Sequence, residues 1–96
     1  MIEIQSRQNA ALKHLARLGR ERKYRRSTGE MLCEGEKMLE EALRSGAVLK
    51  TVLARRGWES EMLREAESRG AALCCAEDAL FRLASEVESP QNVIFS

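Results

Sequence analysis

Residues 47–54 read AVLKTVLA, an aliphatic and β-branched run that is the clearest strand in the chain. Working outward from it, each flank turns into helical spacing. Downstream, Trp58 opens a helix near 59–69 that carries Met62, Leu63 and Ala66 and closes at Gly70. Residues 71–76 form a further short apolar run, read as a strand, and Glu77-Asp78 suits the positive end of a helix over 77–84 with Leu80, Phe81 and Leu83. Val93-Ile94-Phe95 begins a last strand. Upstream, Met38, Leu39, Ala42 and Leu43 mark a helix over 36–45 that stops at Gly46. Met31-Leu32-Cys33 is a short buried-strand candidate.

Strands and helices alternating at this spacing predict an α/β fold: a three-layer domain with a small, largely parallel or mixed sheet flanked by helices. An N-terminal helix is added on one face. In it Ala11, Leu12, Leu15, Ala16 and Leu18 recur at spacings of three and four over 8–19, Ser6 or Asn9 caps the start and Gly19 stops it. Residues 20–28 (RERKYRRST) are too polar for a core element and read as a more flexible extension ending at Gly29.

At 96 residues the chain is one domain. A chain of this size buries roughly two-thirds of its unfolded surface, enough for a core without disulfides. Only four residues are aromatic, so Leu and Ala must fill most of the interior. No apolar run nears the roughly 18 residues of a membrane span, and Met1–Gln5 lacks the regions of a signal peptide, which reads as a cytoplasmic protein. Cys33, Cys74 and Cys75 form no CxxC pair; with His14 the sole histidine, they read as reduced core thiols and not as a metal site. Trp58 reads as a partly buried packing residue.

The formal net charge of +1 conceals a split. Residues 1–28 hold eight basic side chains against Glu3 and Glu21, a balance of +6, whereas residues 29–96 hold eight basic and thirteen acidic side chains, a balance of −5. Confined positive potential points to a polyanion. Lys13, Arg17 and Arg20, spaced by four and three, share a helix face that can track a phosphate backbone. Arg7 precedes them; Arg22, Lys23, Arg25 and Arg26 extend the patch. Tyr24 lies among them, open to two roles: stacking on an unpaired base or packing against the domain. His14 adjoins the patch. No P-loop, GxGxxG, HExxH or nucleophile motif is present, and Glu34 and Glu36 read as a charged helix start, so catalysis within these residues is not expected. The rival reading is a protein-interaction module that docks the basic segment on an acidic partner.

Ser6-Arg7-Gln8-Asn9, Lys13, the Arg/Lys run to Arg26, Gly29 and Glu34-Gly35 with Glu41-Ala42-Leu43, followed by Asp78-Ala79-Leu80-Phe81 and Glu88-Ser89-Pro90-Gln91, are a set of motifs in order. They span nearly the whole chain, which resembles the N-terminal substrate-binding domain of SpoU/TrmH-type RNA methyltransferases. Ala10, where that family often has proline, and Asn92, where glycine is common, depart from its pattern. The resemblance implies a fold like that of the kink-turn-binding ribosomal proteins and a domain that holds RNA, ribosomal RNA in the first instance. It also implies a separate C-terminal knotted domain, absent from this chain, that binds S-adenosylmethionine (AdoMet) and methylates a ribose 2′-hydroxyl. On this reading the chain itself carries no cofactor, the isolated domain is a monomer and the parent enzyme a homodimer. Asn9, Lys13, Arg25, Arg26 and Glu34 carry over as RNA-facing or motif-holding positions.

Overall fold

The computed structural model describes residues 1–88 and 90–96; Ser89, within the 88–91 motif, lies outside the described residues. In chain order the elements are β1 (Ile2–Ile4), α1 (Ala10–Arg20), α2 (Arg22–Thr28), β2 (Cys33–Glu34), α3 (Glu36–Ser45), β3 (Thr51–Arg55), α4 (Glu61–Ser68), β4 (Ala72–Ala76), α5 (Asp78–Ala84) and β5 (Val93–Phe95).

The aliphatic run at 47–54 supplies the central strand because its side chains are apolar on both faces. Val52 and Ala54 pack to one side with Leu39, Leu43, Leu63 and Ala66 from α3 and α4. Leu53 packs to the other with Leu12, Leu15 and Leu18 from α1 and with Phe81 and Ala84 from α5. β4 and β5 alternate in the same way, Leu73, Val93 and Phe95 against Cys74, Ala76 and Ile94. This two-sided burial is what a sheet covered by helices on both faces demands.

The strand order is β1-β4-β3-β5-β2. β4 pairs in parallel with β1 and β3, while β5 runs antiparallel to β3 and to β2. Four of the five strands therefore point the same way and β5 alone is reversed, a mixed sheet in a three-layer α/β sandwich.

Several sequence expectations are corrected. Residues 22–28 are helical: α2 ends on Gly29, whose left-handed φ of 72° lets its N–H reach the Arg25 carbonyl. Its polarity misled because α2 fully buries no residue, half-burying Tyr24, Arg25 and Thr28 instead. α1 lies on one face of the sheet as expected, and its Leu12, Leu15 and Leu18 enter the core layer on that side. β1 was not foreseen; it adds to β4 at the sheet edge and buries only Ile4. The central strand starts at Thr51, not Ala47. Gly46, at φ 78°, closes α3, and Ala47 N–H bonds back to the Ala42 carbonyl, leaving Ala47 and Val48 exposed. α4 begins at Glu61 because the Ser60 hydroxyl caps it, accepting from Met62 N–H. The strand near Met31 is confined to Cys33–Glu34, with Met31 exposed.

Trp58 is half-buried against the α3–α4 side of the core, and all three cysteines are free. Cys33 on β2 is three strands from Cys74 and Cys75 on β4, about 14 Å at the usual strand spacing, too far for a disulfide. Burial pushes the Cys74 thiol up to about 11. Among the described residues no helix is long and apolar enough to cross a membrane.

Candidate nucleic-acid interface

The site is assembled on α1 because that helix turns its leucines inward and its cations outward. Asn9 starts it: its side-chain oxygen accepts from Leu12 N–H at 3.1 Å, the capping role of the residue before a helix. Asn9 thus acts on the backbone. Lys13, Arg17 and Arg20 then line a groove of about 360 Å³ together with Arg7 from the preceding turn. Leu83 of α5 forms part of the opposite wall, and no carboxylate lines the groove. The one-face arrangement expected from the four-and-three spacing is thereby met, with Arg7 added by the turn.

Arg17 is held on two sides. Its guanidinium bonds the Glu21 carboxylate at 3.1 and 3.3 Å and lies 3.8 Å from the centre of the Tyr24 ring. The hydrogen bond and charge of Glu21 outweigh desolvation and raise the Arg17 pKa, while the hydrogen bond from Arg17 holds the Glu21 carboxyl low. Tyr24 is fixed in turn. Its hydroxyl lies 2.6 Å from His14 Nδ1, and His14 Nε2 lies 3.0 Å from Glu30 Oε1. A carboxylate only accepts, so Nε2 carries a proton, and in the neutral ring Nδ1 accepts from the tyrosine hydroxyl. Burial pushes the Glu30 carboxyl up, yet the hydrogen bond and charge of His14, together with Ser96 and the Lys50 charge, outweigh it and keep the carboxyl below its ordinary value. A chain Glu30–His14–Tyr24–Arg17, half-buried up to Tyr24 and exposed at Arg17, therefore ties α2 and the turn after it to α1. The structure engages Tyr24 inside the domain, against the core on one side and Arg17 on the other.

Of the remaining cations, Arg22, Lys23 and Arg26 are exposed on α2. Arg25 is half-buried, and its Nη1 donates to the Leu18 carbonyl at 2.6 Å, satisfying the end of α1. Arg22, Arg25 and Arg26 line a second cleft, of about 430 Å³, beside Gly29 and Met31. Glu34 is engaged with the chain after α5. Its two oxygens accept from the Ser85 hydroxyl at 2.9 Å and from Glu86 N–H at 2.6 Å, pinning the chain after α5. Six cations, Arg7, Lys13, Arg20, Arg22, Lys23 and Arg26, make no ion pair among the described residues. Sequence reasoning missed Glu30, Leu83 and Met31. Glu30 is 16 residues from His14, and no periodic signal links them.

A three-layer α/β domain with one cationic flank is the class of protein these features define. The same fold occurs in an AdoMet-bound rRNA methyltransferase from Sinorhizobium meliloti, with a TM-score of 0.83 over 97% of this chain at 22% identity. An RNA 2′-O ribose methyltransferase is similar at 31% identity, with a TM-score of 0.77 over 98% of the chain. The SpoU methyltransferase AviRb from Streptomyces viridochromogenes, in complex with AdoMet, is similar at 25% identity, with a TM-score of 0.69 over 92% of the chain. This chain spans 34%, 36% and 34% of those three proteins. No curated protein matches it. The MRM3-like substrate-binding domain matches residues 9–94, and the chain belongs to that family, a substrate-binding domain of SpoU-type methyltransferases.

Proposed function

We propose that this chain is the RNA-holding domain of an AdoMet-dependent RNA 2′-O-methyltransferase, acting on ribosomal RNA, with the chemistry carried by a part of the parent enzyme outside these 96 residues. The observation that carries the reading is the groove of Arg7, Lys13, Arg17 and Arg20, which holds four cations and no carboxylate. Such a groove suits a phosphate backbone, whose contacts supply most of the affinity and fix register. Arg22, Lys23 and Arg26 extend the cationic surface along α2. Asn9, Tyr24, Arg25 and Glu34 serve it by holding helix ends, Arg17 and the chain after α5 in place.

The residues present do not fit AdoMet. The α1 groove is walled by guanidinium and ammonium groups, and the α2 cleft sets three guanidiniums against the single carboxylate of Glu30, a net positive lining of the wrong sign for its sulfonium cation, so no transfer step is assigned to them. The parent enzyme is read as a homodimer held through its other domain.

The test is charge removal on opposite faces. Arg7→Ala with Lys13→Ala and Arg20→Ala removes three phosphate contacts; at about 1 kcal/mol or more for each charge-assisted contact, affinity for a ribosomal RNA fragment falls about a hundredfold. Lys37→Ala with Arg44→Ala, on α3 across the sheet, leaves it within about twofold if phosphate contact and not net charge decides. Equal losses from the two sets would move the site. Binding that survives nuclease treatment would favour an acidic protein partner.

A further inference from the structure

The two clefts on the cationic flank differ in chemistry. The α1 groove offers cations alone, as a phosphate track requires. The cleft beside α2 joins cations to carboxylate and thioether: Arg22 and Arg26 at its rim, Glu30 within it, and Met31, 64% exposed, on its wall. It shares Arg25 and Met31 with an adjoining hollow of about 240 Å³ lined by Gly19, Leu32, Glu34 and Glu86. Carboxylates repel phosphate, so a continuous backbone track does not explain this second cleft. Arg25 cannot swing freely to meet a phosphate either, because its Nη1 is engaged by the Leu18 carbonyl, which fixes the guanidinium plane. A fixed guanidinium plane next to an exposed, polarizable thioether is a surface for a flat aromatic ring.

We propose that the cleft formed by Arg25, Met31 and Glu30 receives an unpaired nucleobase of the RNA, with Arg22 and Arg26 on the phosphates that flank it. This rests on the RNA-holding reading and adds that the substrate carries a single-stranded or bulged nucleotide beside a paired stem. The base lies against Met31 and the Arg25 plane. The ribose-phosphate on either side stays at the rim, away from Glu30. A thioether against an aromatic ring is worth about two- to twelvefold in affinity, and the Arg25 guanidinium adds a cation–π contribution.

Three RNA hairpins of one stem sequence test it: one with a single bulged adenosine, one with an abasic bulge at the same position, and one fully paired. Wild-type chain binds the adenosine bulge about tenfold more tightly than the abasic bulge. Met31→Ala, a substitution on the surface that spares the core, brings the two bulges together and leaves affinity for the paired hairpin unchanged. Met31→Tyr restores the difference, since a ring offers a better stacking surface. Equal wild-type affinity for adenosine and abasic bulges overturns the base site while leaving the RNA-holding reading intact. No binding to any of the three at low salt overturns both.

Discussion

Tyr24→Phe is the sharpest probe of how α2 is held. The substitution keeps the ring that lies 3.8 Å from the Arg17 guanidinium and deletes the hydroxyl that lies 2.6 Å from His14 Nδ1. A hydrogen bond of this kind contributes about 1 kcal/mol net, and a half-buried His14 nitrogen left unpaired adds to the loss, so the cost is about 1–2 kcal/mol. Tyr24→Leu removes the ring as well; the cation–π contact at a partly exposed site is worth about a further 0.5–1 kcal/mol, giving about 1.5–3 kcal/mol. Urea unfolding measures both, and in a domain this size each kilocalorie moves the midpoint of thermal unfolding by about 4–8 °C. Native-state hydrogen exchange gives the location: the amides of Arg25 and Gly29, bonded to the Glu21 and Arg25 carbonyls, lose protection before those of β3. Two results would refute the reasoning. One is a Phe variant as stable as wild type beside a costly Leu variant, which would leave the hydroxyl without a role. The other is unprotected α2 amides in the wild-type chain, which would return residues 22–28 to the flexible segment their composition suggests.

Three further outcomes follow from the same contacts. The folded-state pKa of Glu30 is held below its ordinary value of 4.5, so its contribution to stability is present above that value and is lost as pH falls through the lower, folded value. Glu30→Gln flattens this acid limb of the stability curve, and an unchanged limb would show that the His14–Glu30 contact is not formed in solution. Glu34→Ala frees the Ser85 hydroxyl and Glu86 N–H and costs about 2 kcal/mol, with exchange quickening first at residues 85–87; unaltered exchange there would count against the pin. Iodoacetamide at pH 8 leaves Cys74 unmodified in the folded chain and labels all three cysteines in urea, because the buried thiol is pushed up to about 11; equal rates in both states would contradict that burial.

Much of the fold was legible because it follows from side-chain period. The run through Val52, Leu53 and Ala54 is apolar on both faces and so belongs in the middle of a covered sheet. The stripe Leu12, Leu15, Ala16 and Leu18 shows a helix with a buried side, and Gly46 and Gly70 mark where two later helices give way. β1 was not legible, because only Ile4 of its three residues is buried and the segment is a strand by virtue of the β4 edge beside it. α2 was hidden for a related reason: its order comes from contacts to α1 that lie seven to ten residues away, through His14, Arg17 and Leu18. At the site, the spacing of Lys13, Arg17 and Arg20 placed them together correctly. Asn9 was legible as one of two cap candidates, whereas the roles of Arg25 and Glu34 were not visible in charge or spacing, since each is spent on groups whose positions only the folded chain defines.

The central claim is that this flank binds RNA by neutralising phosphates, and the dependence of affinity on salt tests it most directly. Fluorescence anisotropy with a labelled ribosomal RNA fragment between about 50 and 200 mM salt measures the slope of log affinity against log salt. With five or six of the unpaired cations on phosphate, the account predicts a slope of about −4 to −5, reduced by about one unit for each of Lys13→Ala and Arg20→Ala. A flat response would contradict it.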